Sequence, residues 1–192
     1  ALMNLPPPHL FIVSAPSGTG KTTLCHGLLK QFPDMLYSVS YTSRNARKGE
    51  KEGIDYHFID RDEFKRRIDT GRWAEWALVY DNYYGTSADF LDAGLKAGKD
   101  ILLDLDVQGT RQLLKRYVEC VAIFIRPPSL AALRQRLEKR GTDSAQTIAV
   151  RLGNAEKEMA QQDIYQHVIV NDSLAAAQAQ LIALIKQYRT AA

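Results

Sequence analysis

The sequence has few cysteines, no long apolar run and little net charge, and each shortage excludes a class of protein. Its two cysteines, Cys25 and Cys120, lie far apart and form no C-x-x-C pair, so neither a zinc site nor a disulfide framework is expected. The longest apolar runs, such as 121–125, have the length of a strand and are too short to span a bilayer. No basic flank and apolar segment precede the prolines at 6–8, so no secretion signal is expected and the cytoplasm is the default location.

The charge is small in total but unevenly placed. The chain has 192 residues, 45% of them apolar, which predicts one globular domain with a sizeable core. Its 25 basic and 22 acidic residues leave +3, far below the excess of a DNA-binding protein, so no nucleic-acid partner is expected. Residues 42–53 hold four basic and two acidic residues, and residues 126–151 hold six basic and two acidic. The positive excess therefore lies in two segments.

Strands and helices are predicted to alternate through most of the chain, which indicates an α/β domain with a parallel sheet covered on both faces. Ligands of such a sheet bind at the carboxyl ends of its strands. The predicted elements are a strand over 9–14, a helix over 21–32, a helix over 87–97, a strand over 100–105, a helix over 107–116, a strand over 120–125, helices over 129–140 and about 144–162, a strand over 167–170 and a helix over 173–188.

The stretch 36–86 differs, because it is predicted to be mostly β. Strands are expected over 36–41, 56–59 and 73–80, with a turn over 81–86 after the last of them and one helix that Asp60 or Asp62 caps. The links between these strands are too short for crossover helices, so the strands are expected to pair antiparallel. The stretch is therefore interpreted as an insertion in the parallel domain.

Residues 15–23, Ala-Pro-Ser-Gly-Thr-Gly-Lys-Thr-Thr, match a phosphate-binding loop, although Ala15 replaces the first glycine of the strict pattern. The loop follows an apolar strand and opens a helix, a context that directs backbone N–H groups at phosphate oxygens. Lys21 is expected to bridge the β- and γ-phosphates of a nucleotide, and the Thr22 hydroxyl to bind Mg²⁺. A hydrolase built on this loop needs a residue that positions water, whereas a kinase needs a second pocket for the acceptor.

A candidate acceptor pocket lies in the insertion. Arg44 and Arg47, followed by tyrosines, can clamp a phosphate group, because guanidinium groups bind phosphate oxygens bidentately. The carboxylate of Glu75 could accept two N–H donors from the edge of a guanine base.

Together these segments resemble the guanylate kinase family from about residue 9 to about residue 188. The motifs that carry the resemblance occur in the family's order: the loop at 15–23, Ser-x-x-x-Arg-x-x-Arg-x-Gly-Glu at 40–50, Gly-x-Asp-Tyr-x-Phe at 53–58, Glu-Trp-Ala at 75–77, Asn-Tyr-Tyr-Gly at 82–85, Asp-x-Asp-x-Gln-Gly at 104–109, Pro-Pro-Ser at 127–129, Arg-Leu-x-x-Arg-Gly at 136–141 and Val-Asn-Asp at 170–172.

The resemblance implies a P-loop nucleoside monophosphate kinase fold, with a parallel core, an inserted β subdomain that binds GMP and a small helical lid. The reaction it implies is Mg²⁺-dependent phosphoryl transfer from ATP to GMP, and also to dGMP, a step in guanine nucleotide salvage. Monomer and homo-oligomer both stay open. The implied division of the chain is a loose segment over 1–8 and a domain over 9–188, with its core at 9–35, 87–135 and 160–188, its GMP-binding insertion at 36–86 and its lid at about 136–159.

The resemblance also implies roles for individual residues. The residues implied to bind ATP are Ser14, Ala15, Pro16, Ser17, Gly18, Thr19, Gly20, Lys21, Thr22, Thr23, Arg136, Arg140 and Asn171. Those implied to bind GMP are Ser40, Arg44, Arg47, Glu50, Tyr56, Glu75, Tyr84, Thr86, Asp104 and Asp106. The implied catalytic residues are Lys21, Arg44, Arg136, Arg140 and Arg151, and the implied metal ligands are Thr22 and Asp104.

Two alternatives to GMP phosphorylation stay open. One is an interaction module that keeps the fold and binds a protein ligand in the GMP site, but such modules typically lose the loop lysine and the lid arginines, which are present here. The other is a kinase for a different nucleotide, which Glu75 with Ser40 and Thr86 disfavours.

Overall fold

A computed structural model describes residues 5–190, and its elements largely follow the predicted alternation. The strands are β1 Leu10–Ser14, β2 Leu36–Tyr37, β3 Tyr41–Thr42, β4 His57–Phe58, β5 Trp73–Val79, β6 Asn82–Ser87, β7 Ile101–Asp104, β8 Cys120–Arg126 and β9 His167–Val170. The helices are α1 Lys21–Gln31, α2 Arg61–Asp69, α3 Ala88–Lys96, α4 Val107–Arg116, α5 Leu130–Arg140, α6 Ala145–Met159 and α7 Leu174–Thr190, with a 3-10 turn at Gln162–Ile164. Of the predicted loose segment, residues 1–4 lie outside the described residues, and residues 5–8 form no helix or strand.

Five strands form a parallel sheet in the order β2-β7-β1-β8-β9. The central strand β1 is buried on both faces, and its side chains alternate between two cores. Phe11 and Val13 pack with α1 and α7, whereas Leu10 and Ile12 pack with α3 and α4. The predicted parallel sheet with helices on both faces is confirmed.

Four strands form a second sheet in the order β4-β3-β6-β5, and here three expectations are wrong. A turn is expected over 81–86, but residues 82–87 form strand β6, which pairs with β5. No single strand covers 36–41: β2 pairs parallel with β7 of the core sheet, because the Leu36 and Ser38 amides donate to Asp100 and Leu102 carbonyls. The chain enters the second sheet only at β3. Nor is that sheet purely antiparallel, because the long loop 43–56 returns the chain to the start of β3, and β4 therefore pairs with it in parallel.

The helices α5 and α6 form a small layer of their own. Leu133 and Leu137 of α5 pack on Ile148 and Leu152 of α6 in a separate apolar cluster. A left-handed Gly141 ends α5, and Ser144 caps α6 by accepting from the amide of Thr147. Within residues 5–190, no helix is long and apolar enough to cross a membrane.

Candidate active site

The loop that follows β1 bounds a cavity of about 610 Å³, called here the phosphate cavity. Gly18 and Gly20 both have left-handed backbones, with φ of 85° and 86°, a conformation that costs glycine little. A Cβ on Gly18 would lie 2.8 Å from Leu137 of α5, so the loop is also packed closely against that helix. The residues around the cavity are Ala15, Pro16, Ser17, Gly18, Gly20, Lys21, Thr22, Thr23, Asp104, Asp106, Arg140, Arg151 and Glu158.

Lys21 begins α1 and meets the carboxyl end of β7. Its Nζ lies 2.5 Å from Oδ1 of Asp104, and both side chains keep about a quarter of their surface exposed. The lysine charge is therefore held at the mouth of the loop, next to the helix N-terminus that favours anions.

A second cavity of about 280 Å³, called here the base cavity, lies between the two sheets. Asp104 and Asp106 border both cavities, so the two spaces meet at the end of β7. The side chains around the base cavity include those of Ser40, Tyr56, Glu75, Tyr84, Asp104 and Asp106.

Glu75 is the buried carboxyl group of the base cavity, 7% exposed. Its Oε1 accepts a hydrogen bond of 2.7 Å from the hydroxyl of Thr86 on the neighbouring strand. Burial raises the pKa of Glu75 to about 7; the nearby Asp106 carboxylate also raises this pKa, and the Thr86 hydroxyl partly opposes the shift. The group can therefore exchange a proton near neutral pH.

Arg44 is held beside the base cavity by Glu50. Its two terminal nitrogens donate to the two Glu50 carboxylate oxygens at 2.7 and 2.9 Å, and its guanidinium lies over the Tyr56 ring. Hydrogen bonding to Arg44 lowers the pKa of Glu50 to about 2. The Glu50 carboxylate also accepts from the amide of Arg47, whose side chain is exposed. None of these three charged residues borders the base cavity, but Tyr56 does.

The three arginines of α5 and α6 that the resemblance assigns to the site occupy different places. Arg140 and Arg151 border the phosphate cavity, and a terminal nitrogen of Arg151 donates to Ser17 Oγ at 2.6 Å. Arg136 does not border it, because its guanidinium donates to the backbone carbonyl of Asn171 at 2.7 Å. Identical side chains one helical turn apart on α5 therefore face different neighbours.

Three other residues assigned from the sequence to ATP are buried in or next to the loop and do not border the phosphate cavity. Asn171 donates from its side chain to the Thr19 carbonyl at 2.6 Å and is 3% exposed. Thr19 is itself buried, and Ser14 Oγ donates to the Leu105 carbonyl. The contacts of Asn171 and Ser14 hold the backbone in place around the site.

Two residues near the site were missed by sequence reasoning. Glu158 of α6 borders the phosphate cavity, and burial raises its pKa, but in the sequence it is one of two acidic residues in a helix with four charged side chains. Gln112 of α4 makes two hydrogen bonds with the backbone of Trp76, next to Glu75. These bonds tie the strand that carries Glu75 to the core. No sequence signal distinguishes this glutamine from others on helix surfaces.

The arrangement can bring two phosphorylated molecules together. One cavity has a phosphate-binding loop with basic side chains, and the other has a buried carboxyl group suited to a base with N–H donors. A parallel α/β sheet with this loop and an adjoining acceptor pocket defines a P-loop kinase that phosphorylates a nucleotide.

Comparison with known proteins identifies the family. The family model for guanylate kinase matches residues 8–188. A guanylate kinase from Chromohalobacter salexigens is 49% identical over 181 residues, covering 94% of this chain and 84% of that protein, and one from Geobacter sulfurreducens is 47% identical, covering 95% and 91%. A crystal structure of guanylate kinase from Anaplasma phagocytophilum superposes with a TM-score of 0.74 at 31% identity, covering 97% of this chain and 89% of that one. The chain belongs to the guanylate kinase family, and the predicted fold class and enzyme class are confirmed.

Proposed function

We propose that the chain transfers the γ-phosphoryl group of ATP to GMP, with ATP in the phosphate cavity and GMP in the base cavity. Family membership supports the reaction, which yields ADP and GDP. The observation that carries the assignment of the cavities is that they meet at Asp104 and Asp106, with the loop at one end and Glu75 at the other. As the resemblance to the family implies, dGMP is expected to be a second acceptor.

On the donor side, the chain supplies positive charge and backbone donors. Lys21, Arg140 and Arg151 would contact the phosphates of ATP, together with the N–H groups of the loop. Arg136 instead holds the backbone at Asn171, and it would contact ATP only after releasing that carbonyl.

The residues present fit a magnesium ion. Mg²⁺ is usually held by one or two carboxylates together with substrate phosphates, and Thr22 and Asp104 both border the phosphate cavity. Within residues 5–190, no three acidic, His or Cys side chains cluster as a metal site, which suits an ion that depends on the nucleotide for its other ligands. When bound, Mg²⁺ would neutralise charge on the phosphates.

On the acceptor side, Arg44, Arg47, Tyr56 and Tyr84 would bind the phosphate of GMP. Glu50 holds the Arg44 guanidinium in advance, so little side-chain entropy is lost when the phosphate arrives. The acceptor is a phosphate oxygen that is already ionised, so the reaction needs no general base. Positioning and charge stabilisation are sufficient.

At the other end of GMP, the ionised carboxylate of Glu75 would accept hydrogen bonds from guanine N1 and N2, while the Ser40 and Thr86 hydroxyls would donate to O6.

The division of the chain into core, insertion and lid supports a closing motion around both nucleotides. The strand β2 belongs to the core in this division, because it lies in the five-stranded sheet. Closure would exclude water, which competes with GMP for the phosphoryl group.

The alternative of an interaction module is disfavoured. Such modules typically lose the loop lysine and the lid arginines, whereas Lys21, Arg140 and Arg151 all border the phosphate cavity here.

The pH dependence of GMP binding tests the role of Glu75. Since the pKa of Glu75 in the nucleotide-free protein is raised to about 7 and GMP needs the ionised form, binding must displace a proton at lower pH. The KM for GMP is expected to fall about tenfold per pH unit as the pH rises toward 7 and to level off above it. The KM for ATP should not follow this curve.

Glu75→Gln is the matched control, because it retains the shape of the side chain and removes its titration. The phosphate of GMP also titrates, near pH 6, but equally with both proteins. If the variant and the parent protein show the same pH profile of the KM for GMP, Glu75 is not the group that meets the base.

A further inference from the structure

We propose that Asp143 is a positioning residue that fixes the guanidinium of Arg151 for contact with the phosphates of ATP. The inference rests on the proposed function, in which Arg151 is a phosphate-binding residue. Asp143 does not border the phosphate cavity, so it would act through Arg151 and not on the nucleotide.

The guanidinium of Arg151 is held at two points. Its Nε lies 3.4 Å from Oδ2 of Asp143, in the loop between α5 and α6, and one terminal nitrogen donates to Ser17 Oγ at 2.6 Å. A guanidinium has five N–H donors in one plane, so these contacts orient the group and leave other donors for phosphate oxygens. Ser17 belongs to the phosphate-binding loop, and the arginine thus links the lid to the loop.

The burial of the pair indicates that Asp143 depends on Arg151. The Asp143 side chain is 12% exposed, and that of Arg151 is 31% exposed. Asp143 Oδ2 is buried and has no hydrogen-bond partner within residues 5–190, while its ion pair there is with Arg151. Burying a carboxylate oxygen without a nearby cation is energetically unfavourable. The ion pair therefore fixes the positions of both the carboxylate and the guanidinium.

A competing explanation is purely structural. Asp143 directly precedes Ser144, the N-cap of α6, and a negative charge at a helix N-terminus stabilises the helix whatever Arg151 does. That role predicts a lower melting temperature and no selective effect on ATP. The test must therefore separate stability from the ATP parameters.

The test compares Asp143→Asn with Asp143→Glu, which keeps the charge. We expect Asp143→Asn to lower kcat/KM for ATP about tenfold, because a misplaced catalytic group loses much of its effect, while the KM for GMP changes less than twofold. Asp143→Glu should restore most of the loss. Glu138→Gln is the matched control: Glu138 forms an exposed pair with Arg134 on α5, and its loss should change neither parameter.

A double-mutant cycle identifies the residue through which Asp143 acts. In an Arg151→Ala protein, adding Asp143→Asn should have no further effect on kcat/KM for ATP. A further loss as large as in the parent protein would overturn the inference. So would a variant that melts at a lower temperature and is impaired equally toward ATP and GMP, or one that matches the parent in every parameter.

The same cycle separates this inference from the proposed function. If Arg151→Ala alone keeps full turnover, Arg151 does not bind phosphate and the proposed site is wrong at that residue. If Arg151→Ala is impaired while Asp143→Asn is normal, only the positioning role of Asp143 fails.

Discussion

Lys21→Ala is expected to lower kcat about a thousandfold, by analogy with the loss of an electrostatic donor that stabilises a transition state. Lys21 is the basic group that the loop itself places at the phosphate cavity, and its removal leaves Asp104 without the cation 2.5 Å away. Initial rates of ADP formation at saturating ATP and GMP measure the effect.

Lys30→Ala is the matched control for Lys21→Ala, because Lys30 is an exposed lysine in the last turn of the same helix. It should retain the parental kcat. A Lys21→Ala protein with undiminished turnover would show that the loop at 15–23 does not hold the transferred phosphoryl group.

Glu75→Ala is expected to lower kcat/KM for GMP about a hundredfold and to leave the low activity with AMP little changed, because two hydrogen bonds to a charged acceptor are lost. The carboxylate can accept hydrogen bonds from the N–H donors at N1 and N2 of GMP. It repels AMP, which has a hydrogen-bond acceptor at N1. Parallel assays of the two monophosphates give the ratio.

Asp62→Asn provides the comparison for Glu75→Ala, since Asp62 is an exposed acidic residue on α2, the helix that precedes the strand of Glu75. Its removal should leave the ratio of GMP to AMP activity as it is. An unchanged ratio in Glu75→Ala would mean that another group selects the base.

The net charge of +3 does not show that three basic side chains of the proposed site are each paired with a carboxylate. Lys21 is paired with Asp104, Arg44 with Glu50 and Arg151 with Asp143. Each of these three basic side chains is thereby held close to the cavity whose phosphate it is proposed to bind.

The phosphate-binding loop could be predicted because its residues are contiguous and its geometry is local. Strand, glycine loop and helix follow one another within 10–31, and the conformations of Gly18 and Gly20 are those that glycine favours. The alternation after residue 87 was likewise visible, because long periodic segments carry the signal themselves.

The rest depended on contacts that the sequence does not display. The strand β2 has only two residues, too few to show the alternation of apolar and polar side chains that identifies a strand. Its place in the core sheet could therefore not be predicted. Arg136 and Arg140 lie one turn apart in a single motif, and which of them borders the phosphate cavity is set by how Leu133 and Leu137 seat α5 against Gly18. The rotation of a helix about its axis decides which side chains face a cavity, and it depends on the packing of the helix against its neighbours and not on the sequence of the motif.

The most direct test of the two-cavity assignment is ADP formation from ATP with GMP, dGMP, AMP or UMP as the acceptor, each with Mg²⁺ and again after chelation. The account predicts rapid turnover with GMP, turnover with dGMP, little with AMP or UMP, and none once Mg²⁺ is removed. ADP formation that is equally fast with AMP, or that needs no monophosphate at all, would contradict it.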